Sequence, residues 1–107
     1  MGRFLSGGAD SASLFVEATL DAADEATEAL AFLGAANLAI SGTFVGEIVL
    51  EKSFDGGVVW IPATNLGVVV VFTVPATEMV LNRETGVFHR LRMRARTSGA
   101  ALCRLSQ

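Results

Sequence analysis

The feature that most constrains the fold of this chain is a glycine-rich turn that follows an alternating apolar run. Residues 53–60 have the sequence Ser-Phe-Asp-Gly-Gly-Val-Val-Trp, and they follow an alternating run over residues 44–52. An aspartate can bond to its own backbone, and two glycines can adopt positive φ, which suits a tight β-hairpin turn. The octet therefore predicts two antiparallel strands joined through Asp55, Gly56 and Gly57.

Alternation on both sides of this turn predicts an all-β domain. Apolar and polar side chains alternate over residues 13–20 and 87–97, which is the pattern of half-buried strands. Residues 66–74 are apolar on both faces, and we expect a central strand or one covered by a neighbouring subunit. With turn signals at close intervals, these runs predict a β-sandwich or small barrel of about seven or eight short antiparallel strands.

The strands that flank the octet can be assigned in more detail. On the strand before the turn, Phe54 should share the buried face with Phe44, Ile48 and Leu50. After the turn, we expect a return strand over residues 58–61 that is stopped by Pro62.

Residues 21–33 fit two structures. Asp21 could cap a helix that ends at Gly34, with apolar residues at helical spacing between them. An acidic loop followed by a strand over residues 28–33 fits the same segment. The loop and strand are slightly favoured because the surrounding segments are strand-like.

The composition is that of one domain with a surplus of apolar residues. The chain has 107 residues, of which 51% are hydrophobic and 18% charged, whereas a typical soluble domain has about 25% charged residues. A domain of this size cannot bury so many apolar side chains, so we expect contacts between subunits or with a larger body. Residues 1–12 predict a flexible N-terminal arm, anchored on a partner by Phe4 and Leu5, before a single β-domain over residues 13–107.

Charge and hydropathy also bear on the partners. The net charge of −3 does not favour direct nucleic-acid binding. No apolar stretch approaches the ~20 residues of a membrane span, and residues 1–8 lack the apolar core of a signal peptide. We therefore expect a protein made in the cytoplasm of its host and not attached to a membrane.

Few residues could carry chemistry. His89 shares a face with Leu91 and Met93, so we expect a structural histidine, and Cys103 alternates with apolar neighbours as a small core residue. A metal site needs several ligands, and a catalytic cysteine needs a nearby base. With no nucleophile–base pair and no metal cluster in the sequence, we expect no enzyme, no cofactor and no metal site.

Arginines alternate with apolar residues near the C-terminus. On a strand they would share one face, with neighbours about 7 Å apart. Such a row could dock an acidic partner, although a solvated face neutralised by a neighbouring strand carrying Glu47 and Glu51 is favoured. The arginine row consists of Arg90, Arg92, Arg94 and Arg96.

The octet resembles the Asp-box of sialidases and other β-proteins, Ser-x-Asp-x-Gly-x-Thr-Trp, with Val59 in place of the threonine. Asp-boxes usually hold a hairpin together away from catalytic centres, so the resemblance implies structural roles. We expect Asp55 to cap the turn rather than bind calcium, and Trp60 to pack on the hairpin rather than stack on a sugar. One Asp-box in a chain this short does not make a sialidase propeller. The hairpin residues are Ser53, Asp55, Gly56, Gly57 and Trp60.

Much of residues 37–107 resembles small β-rich proteins encoded in the structural modules of tailed bacteriophages. The resemblance is carried by residues 40–57, Ile-Ser-Gly-Thr-Phe-Val-Gly-Glu-Ile-Val-Leu-Glu-Lys-Ser-Phe-Asp-Gly-Gly, and by the ending over residues 86–107. Many such proteins have Tyr at the position of His89 and Thr at that of Ala100. The resemblance implies a virion protein of the head-decoration or head–tail and tail accessory type.

This resemblance also implies partners. Such a protein would bind the major capsid protein or another virion protein, and would itself form a homo-oligomer, with a trimer favoured because decoration proteins are commonly trimeric. The alternative is a carbohydrate-binding or host-adhesion module of a virion, with Asp55 and Trp60 in its site.

Overall fold

The computed structural model of this protein describes residues 14–107, and these form eleven β-strands and no helix. The prediction of an all-β fold is confirmed. The predictions for the arm over residues 1–12, including its anchors Phe4 and Leu5, lie outside the described residues. In chain order the strands are β1 (Phe15–Leu20), β2 (Leu30–Ala31), β3 (Gly34–Ser41), β4 (Phe44–Ser53), β5 (Ile61–Pro62), β6 (Thr64–Asn65), β7 (Val68–Val69), β8 (Val71–Phe72), β9 (Ala76–Asn82), β10 (Phe88–Gly99) and β11 (Ala101–Ser106).

Two antiparallel sheets face each other across one core. The first has the strand order β9-β3-β11-β1, and the second has the order β2-β10-β4-β5, with β8 also pairing with β4. Strands β6 and β7 form a separate hairpin. Leu38 and Leu105 of the first sheet and Leu50 and Leu91 of the second are buried in the same cluster. The chain is therefore a small β-sandwich, with the core between the two sheets.

The longest strand pair, β4 with β10, is interrupted by two bulges. The register slips by one residue after Met93 and again after Arg96. At the first slip, a Cβ on Gly46 would overlap the carbonyl oxygen of Ala95, so the close approach of the two backbones requires glycine there. Each slip adds a residue to β10, and side chains beyond Met93 no longer alternate strictly between the faces.

The loop predicted within residues 21–33 is confirmed, and the helix is absent. Asp24 lies in a turn with a φ of 71°. The chain then runs along β10, where the amide of Thr27 donates to the carbonyl of Leu91 at 2.9 Å. The strand that follows is only Leu30–Ala31, shorter than the predicted residues 28–33.

The prediction of a central strand over residues 66–74 is wrong. Leu66 and Gly67 have φ values of 53° and 82°, so the chain reverses there between the paired residues Asn65 and Val68. Beyond this turn the segment continues as two short peripheral strands. The apolar run is peripheral rather than central: Leu66 is 99% exposed, and residues 69–72 are half-buried.

Two predictions next to the octet also need correction. Phe54 does not share the buried face, because the chain leaves β4 at Ser53 and the phenyl ring is 56% exposed. The return strand is Ile61–Pro62 rather than residues 58–61. Pro62 lies within this strand because β5 is at the edge of its sheet, where a missing N–H is tolerated.

Candidate functional site

The Asp-box turn is closed by its own side chains. Oδ1 of Asp55 accepts hydrogen bonds from the Ser53 hydroxyl at 2.8 Å, from the amide of Val59 at 2.9 Å and from that of Val58 at 3.2 Å. The Ser53 hydroxyl in turn accepts from the amide of Gly57 at 2.8 Å. The Val59 amide and then the Ser53 hydroxyl lower the pKa of Asp55 below its ordinary value, because both favour the charged form.

The backbone of the turn follows the sequence pattern as well. Gly56 and Gly57 have φ values of 77° and 95°, a region that side chains disfavour. Asp55 therefore has the capping role that the sequence predicts, with one carboxylate oxygen committed to the turn.

Trp60 connects this turn to the arginine row. Its ring is half-buried, and the guanidinium carbon of Arg90 lies 4.3 Å from the ring centroid. The indole also lies close to Gly57, since a Cβ there would be 3.7 Å from Cζ2 of Trp60. A recess of about 160 Å³ beside the turn is lined by Phe54, Asp55, Val59 and Ile61, and Trp60 is not part of it. The structure thus does not bring Asp55 and Trp60 together around one recess.

The carboxylate of Glu51 organises the outer face of the second sheet. Glu51 is only 4% exposed, and its two oxygens accept from Nε of Arg90 at 2.8 Å and from Nε of Arg92 at 2.9 Å. Arg92 also pairs through Nη1 with Asp24 at 2.8 Å. Two cations thus share one buried anion, and each pair is a charge-assisted hydrogen bond.

The row of arginines ends at the first bulge. Nε of Arg94 bonds Glu47 at 2.8 Å, and both side chains are well exposed. Arg96 pairs with Gly46 in the slipped register, and its Nε donates to the carbonyl of Gly99 at 2.9 Å. Three of the four arginines are therefore bonded to carboxylates of this chain. Docking of an acidic partner on this row stays a prediction.

His89 lies on the inner face with Leu91 and Met93, as the alternation predicts. Its ring stacks on Phe32 with centroids 4.3 Å apart and is fully buried. By distance and angle, neither ring nitrogen makes a hydrogen bond to residues 14–107, although the backbone of Val87 and that of Leu30 lie near enough to favour the protonated ring slightly. Burial, and secondarily the positive charge of Lys52, lower the pKa of His89 to about 4, so the folded protein holds a neutral imidazole at pH 7.

Other groups with chemical potential are also inside the sandwich. Cys103 is fully buried, and burial raises the pKa of its thiol to about 12. Within residues 14–107, no three His, Cys, Asp or Glu side chains lie together as a metal site would need. The same residues contain no helix long and apolar enough to cross a membrane.

A groove opens between the two sheets at the edge strand β9, and the sequence reasoning missed it. The groove has a volume of about 420 Å³. Its apolar lining comes mainly from the two sheets, the β6–β7 hairpin adds Thr64 and Asn65, and Lys52 and Glu78 add one charge of each sign. We call it the edge groove; its lining includes Leu38, Leu50, Lys52, Ala63, Asn65, Val70, Phe72, Glu78 and Val80.

The uncharged run that lines part of the edge groove also exposes several apolar side chains. No charged residue lies between Asp55 and Glu78, and we call residues 56–77 the uncharged segment. Many of its aliphatic side chains face solvent rather than the core. The most exposed are Val58 at 81%, Leu66 at 99%, Val68 at 69% and Val74 at 63%. The apolar run over residues 66–74 was the available signal, and it predicted a central strand or one covered by a neighbouring subunit.

Comparisons of this chain with protein-family models, with curated proteins and with solved structures found no match. Its function therefore has to be inferred from the surfaces and side chains described above.

Proposed function

We propose that this chain is a non-enzymatic structural protein of a phage-like particle, which binds the capsid or a neighbouring virion protein as a decoration or assembly component. The observation that carries this proposal is the uncharged segment, with Val58, Leu66 and Val68 more than half exposed. Large apolar patches on a small domain usually mark contacts with other proteins. The sequence resemblance to phage structural modules gives the class of partner.

The framework beneath this surface suits a docking role. The side chains that could do chemistry are held in structural positions: His89 and Cys103 are buried, and Asp55 bonds within its own turn. Glu51 ties Arg90 and Arg92 together on the opposite side of the β4–β10 pair from the core. A rigid sandwich of this kind can present an apolar surface in a fixed shape.

The uncharged segment is a better candidate for the docking surface than the arginine row. Arg90 and Arg92 already pair with the carboxylate of Glu51, and Arg92 also pairs with Asp24, so much of their charge is neutralised within the chain and an acidic partner would gain less there. Burying Val58 or Val74 against a partner instead breaks no ion pair, and it removes apolar surface from water, which is favourable. We therefore assign capsid or virion-protein contact to residues 56–77 and expect the chain to act as a homo-oligomer.

The test is binding to assembled particles. The purified chain is mixed with capsid-like particles assembled from the major capsid protein of the same phage module, and co-sedimentation is measured. We expect wild type to bind and the double variant Val58→Glu/Val74→Glu to bind at least about tenfold more weakly, since each carboxylate would be buried in the contact. Ser41→Glu, on the exposed outer face of the first sheet, is the matched control and should bind as wild type does.

Two results would contradict the proposal. Equal sedimentation of the double variant and wild type would show that the uncharged segment is not the contact. Wild type that ignores capsids but binds glycans, with glycan binding lost in a folded Trp60→Ala variant, would favour the adhesion module instead.

A further inference from the structure

We infer that the edge groove of each molecule receives Leu66, at the tip of the β6–β7 hairpin, from a second copy of this chain. The inference deepens the proposed function by naming the contact between copies. Its role in a particle rests on that proposal, but the contact itself rests on the geometry of the hairpin and the groove.

The first observation is that leucine is a poor choice for its own turn. Leu66 and Gly67 form a two-residue hairpin loop, and both have positive φ, as in a type I′ turn. Asn, Asp and Gly are the usual residues there, and a bulky side chain at positive φ is uncommon. Leu66 is also 99% exposed. In the isolated chain, both its positive φ and the contact of its apolar side chain with water are therefore unfavourable. Strain of this kind is characteristic of functional positions.

The second observation is a recess of suitable size and chemistry on the same side of the molecule. The edge groove has a volume of about 420 Å³ and an apolar lining that includes Leu50, Phe72 and Val80. An apolar cavity of about 150 Å³ already holds a benzene ring. The groove therefore has room for the Leu66 side chain together with the exposed Val68 beside it.

Leu66 does not fill the groove of its own molecule. The hairpin forms one wall of the groove through Thr64 and Asn65, and its tip points away, since Leu66 makes almost no contact with its own chain. When a protruding side chain and a recess lie on one surface, the side chain of one copy can enter the recess of another. Such contacts form either reciprocally about a two-fold axis or in a closed ring.

The charges around the groove fit a second copy as well. Lys52 and Glu78 line the same groove with opposite signs, so two copies that meet there can place the lysine of one near the glutamate of the other. The hairpin that carries Leu66 brings no charge to be desolvated.

The decisive variant is Leu66→Asn, which removes the apolar tip and favours the turn. Asparagine accepts positive φ readily, so the fold should be kept. Self-association is measured by light scattering and analytical ultracentrifugation over a concentration series. We expect wild type to associate and Leu66→Asn to associate at least about tenfold more weakly, with an unchanged circular dichroism spectrum. Val45→Asn, at another exposed apolar position, is the control and should associate as wild type does.

Cross-linking tests where the tip lies. Copies carrying Leu66→Cys are mixed with differently tagged copies carrying Val80→Cys and oxidised gently, while the buried Cys103 stays unreactive. We expect a disulfide-linked pair that contains both tags. Leu66→Cys mixed with Leu102→Cys, which is exposed on the outer face of the first sheet, should give little of this product.

Three outcomes would overturn the inference: a wild-type chain that stays monomeric at all concentrations, undiminished association of Leu66→Asn, or equal cross-linking to positions 80 and 102. Loss of association on removing residues 1–13, with Leu66→Asn unaffected, would assign the groove to the N-terminal segment instead. Capsid co-sedimentation is a separate measurement, so failure of the self-contact and failure of the proposed function can be told apart.

Discussion

At the level of single residues, the burial of His89 was predictable from the sequence, and the surroundings of its ring nitrogens were not. Its face follows from alternation with Leu91 and Met93. The stacking on Phe32 depends on a segment distant in sequence, which no local pattern describes. That neither ring nitrogen makes a hydrogen bond within residues 14–107 likewise depends on how the two sheets close over the ring.

The burial of this neutral imidazole predicts that the protein loses stability in mild acid. The pKa of His89 is lowered to about 4 in the folded protein, whereas the unfolded chain takes up the proton near pH 6.5. The stabilisation is therefore complete above about pH 6.5 and is lost as the pH falls toward 4. Since one proton corresponds to about 1.4 kcal/mol per pH unit, we expect the free energy of unfolding to fall by about 2–3 kcal/mol across this window.

The measurement is urea unfolding at several pH values, for wild type and for His89→Met. The variant keeps an apolar side chain of similar length and should lose this part of the pH dependence. All other ionisable groups are the same in both proteins, so the difference between the two curves isolates the histidine. Identical pH dependence in both proteins would contradict the prediction.

At the level of secondary structure, the β4–β10 pair shows what alternation can and cannot predict. The pairing of Arg90 with Glu51 across the strands follows from period two and charge. The end of the arginine row does not, because the register slips where Gly46 meets the backbone of Ala95. A bulge depends on backbone packing between strands and leaves only a glycine as its local signal.

The two carboxylates on β4 should differ greatly in their contribution to stability. Glu51 is buried and bonded to two arginines, so Glu51→Ala leaves the partly buried Arg90 without a carboxylate and Arg92 with Asp24 alone, and should lower the free energy of unfolding by about 2–4 kcal/mol. Glu47→Ala removes an exposed pair and should cost about 0–1 kcal/mol. Chemical denaturation of both variants compares the same residue type on the same strand, and similar losses would contradict the assignment.

The bulge predicts a second effect on the same strand pair. Gly46→Ala places a methyl group against the carbonyl oxygen of Ala95, and the strands must separate locally. We expect a loss of about 1–3 kcal/mol in the free energy of unfolding. Val45→Ala, at the exposed neighbouring position, is the control and should change stability much less. A Gly46→Ala variant as stable as wild type would mean that the strands are not this close.

At the level of the whole molecule, the all-β architecture was predictable as a sandwich or a small barrel, and the position of the apolar run over residues 66–74 was not. An uninterrupted apolar segment looks the same in sequence whether it is covered by its own domain or by another molecule. Here Leu66 and Gly67 reverse the chain, and the run becomes part of the surface. A small sandwich has too little interior to bury this run. The other interpretation of the sequence, a run covered by a neighbouring subunit, accounts for its exposure better.

If that surface is covered by a second copy, the thermal stability of the protein must depend on its concentration. A contact that forms only between folded chains raises the unfolding midpoint by mass action. A tenfold increase in protein concentration adds about 1.4 kcal/mol per associated pair, or about half of that per chain, which corresponds to a shift of roughly 3–5 °C for a domain of this size. Calorimetry over a hundredfold concentration range should show this shift for wild type and none for Leu66→Asn. At the lowest concentration, the unfolding midpoint of Leu66→Asn should equal or exceed that of wild type, because asparagine suits the turn. A wild-type midpoint that does not change with concentration would contradict the contact between copies. It would instead assign the uncharged segment, and Leu66 with it, to contact with a different protein.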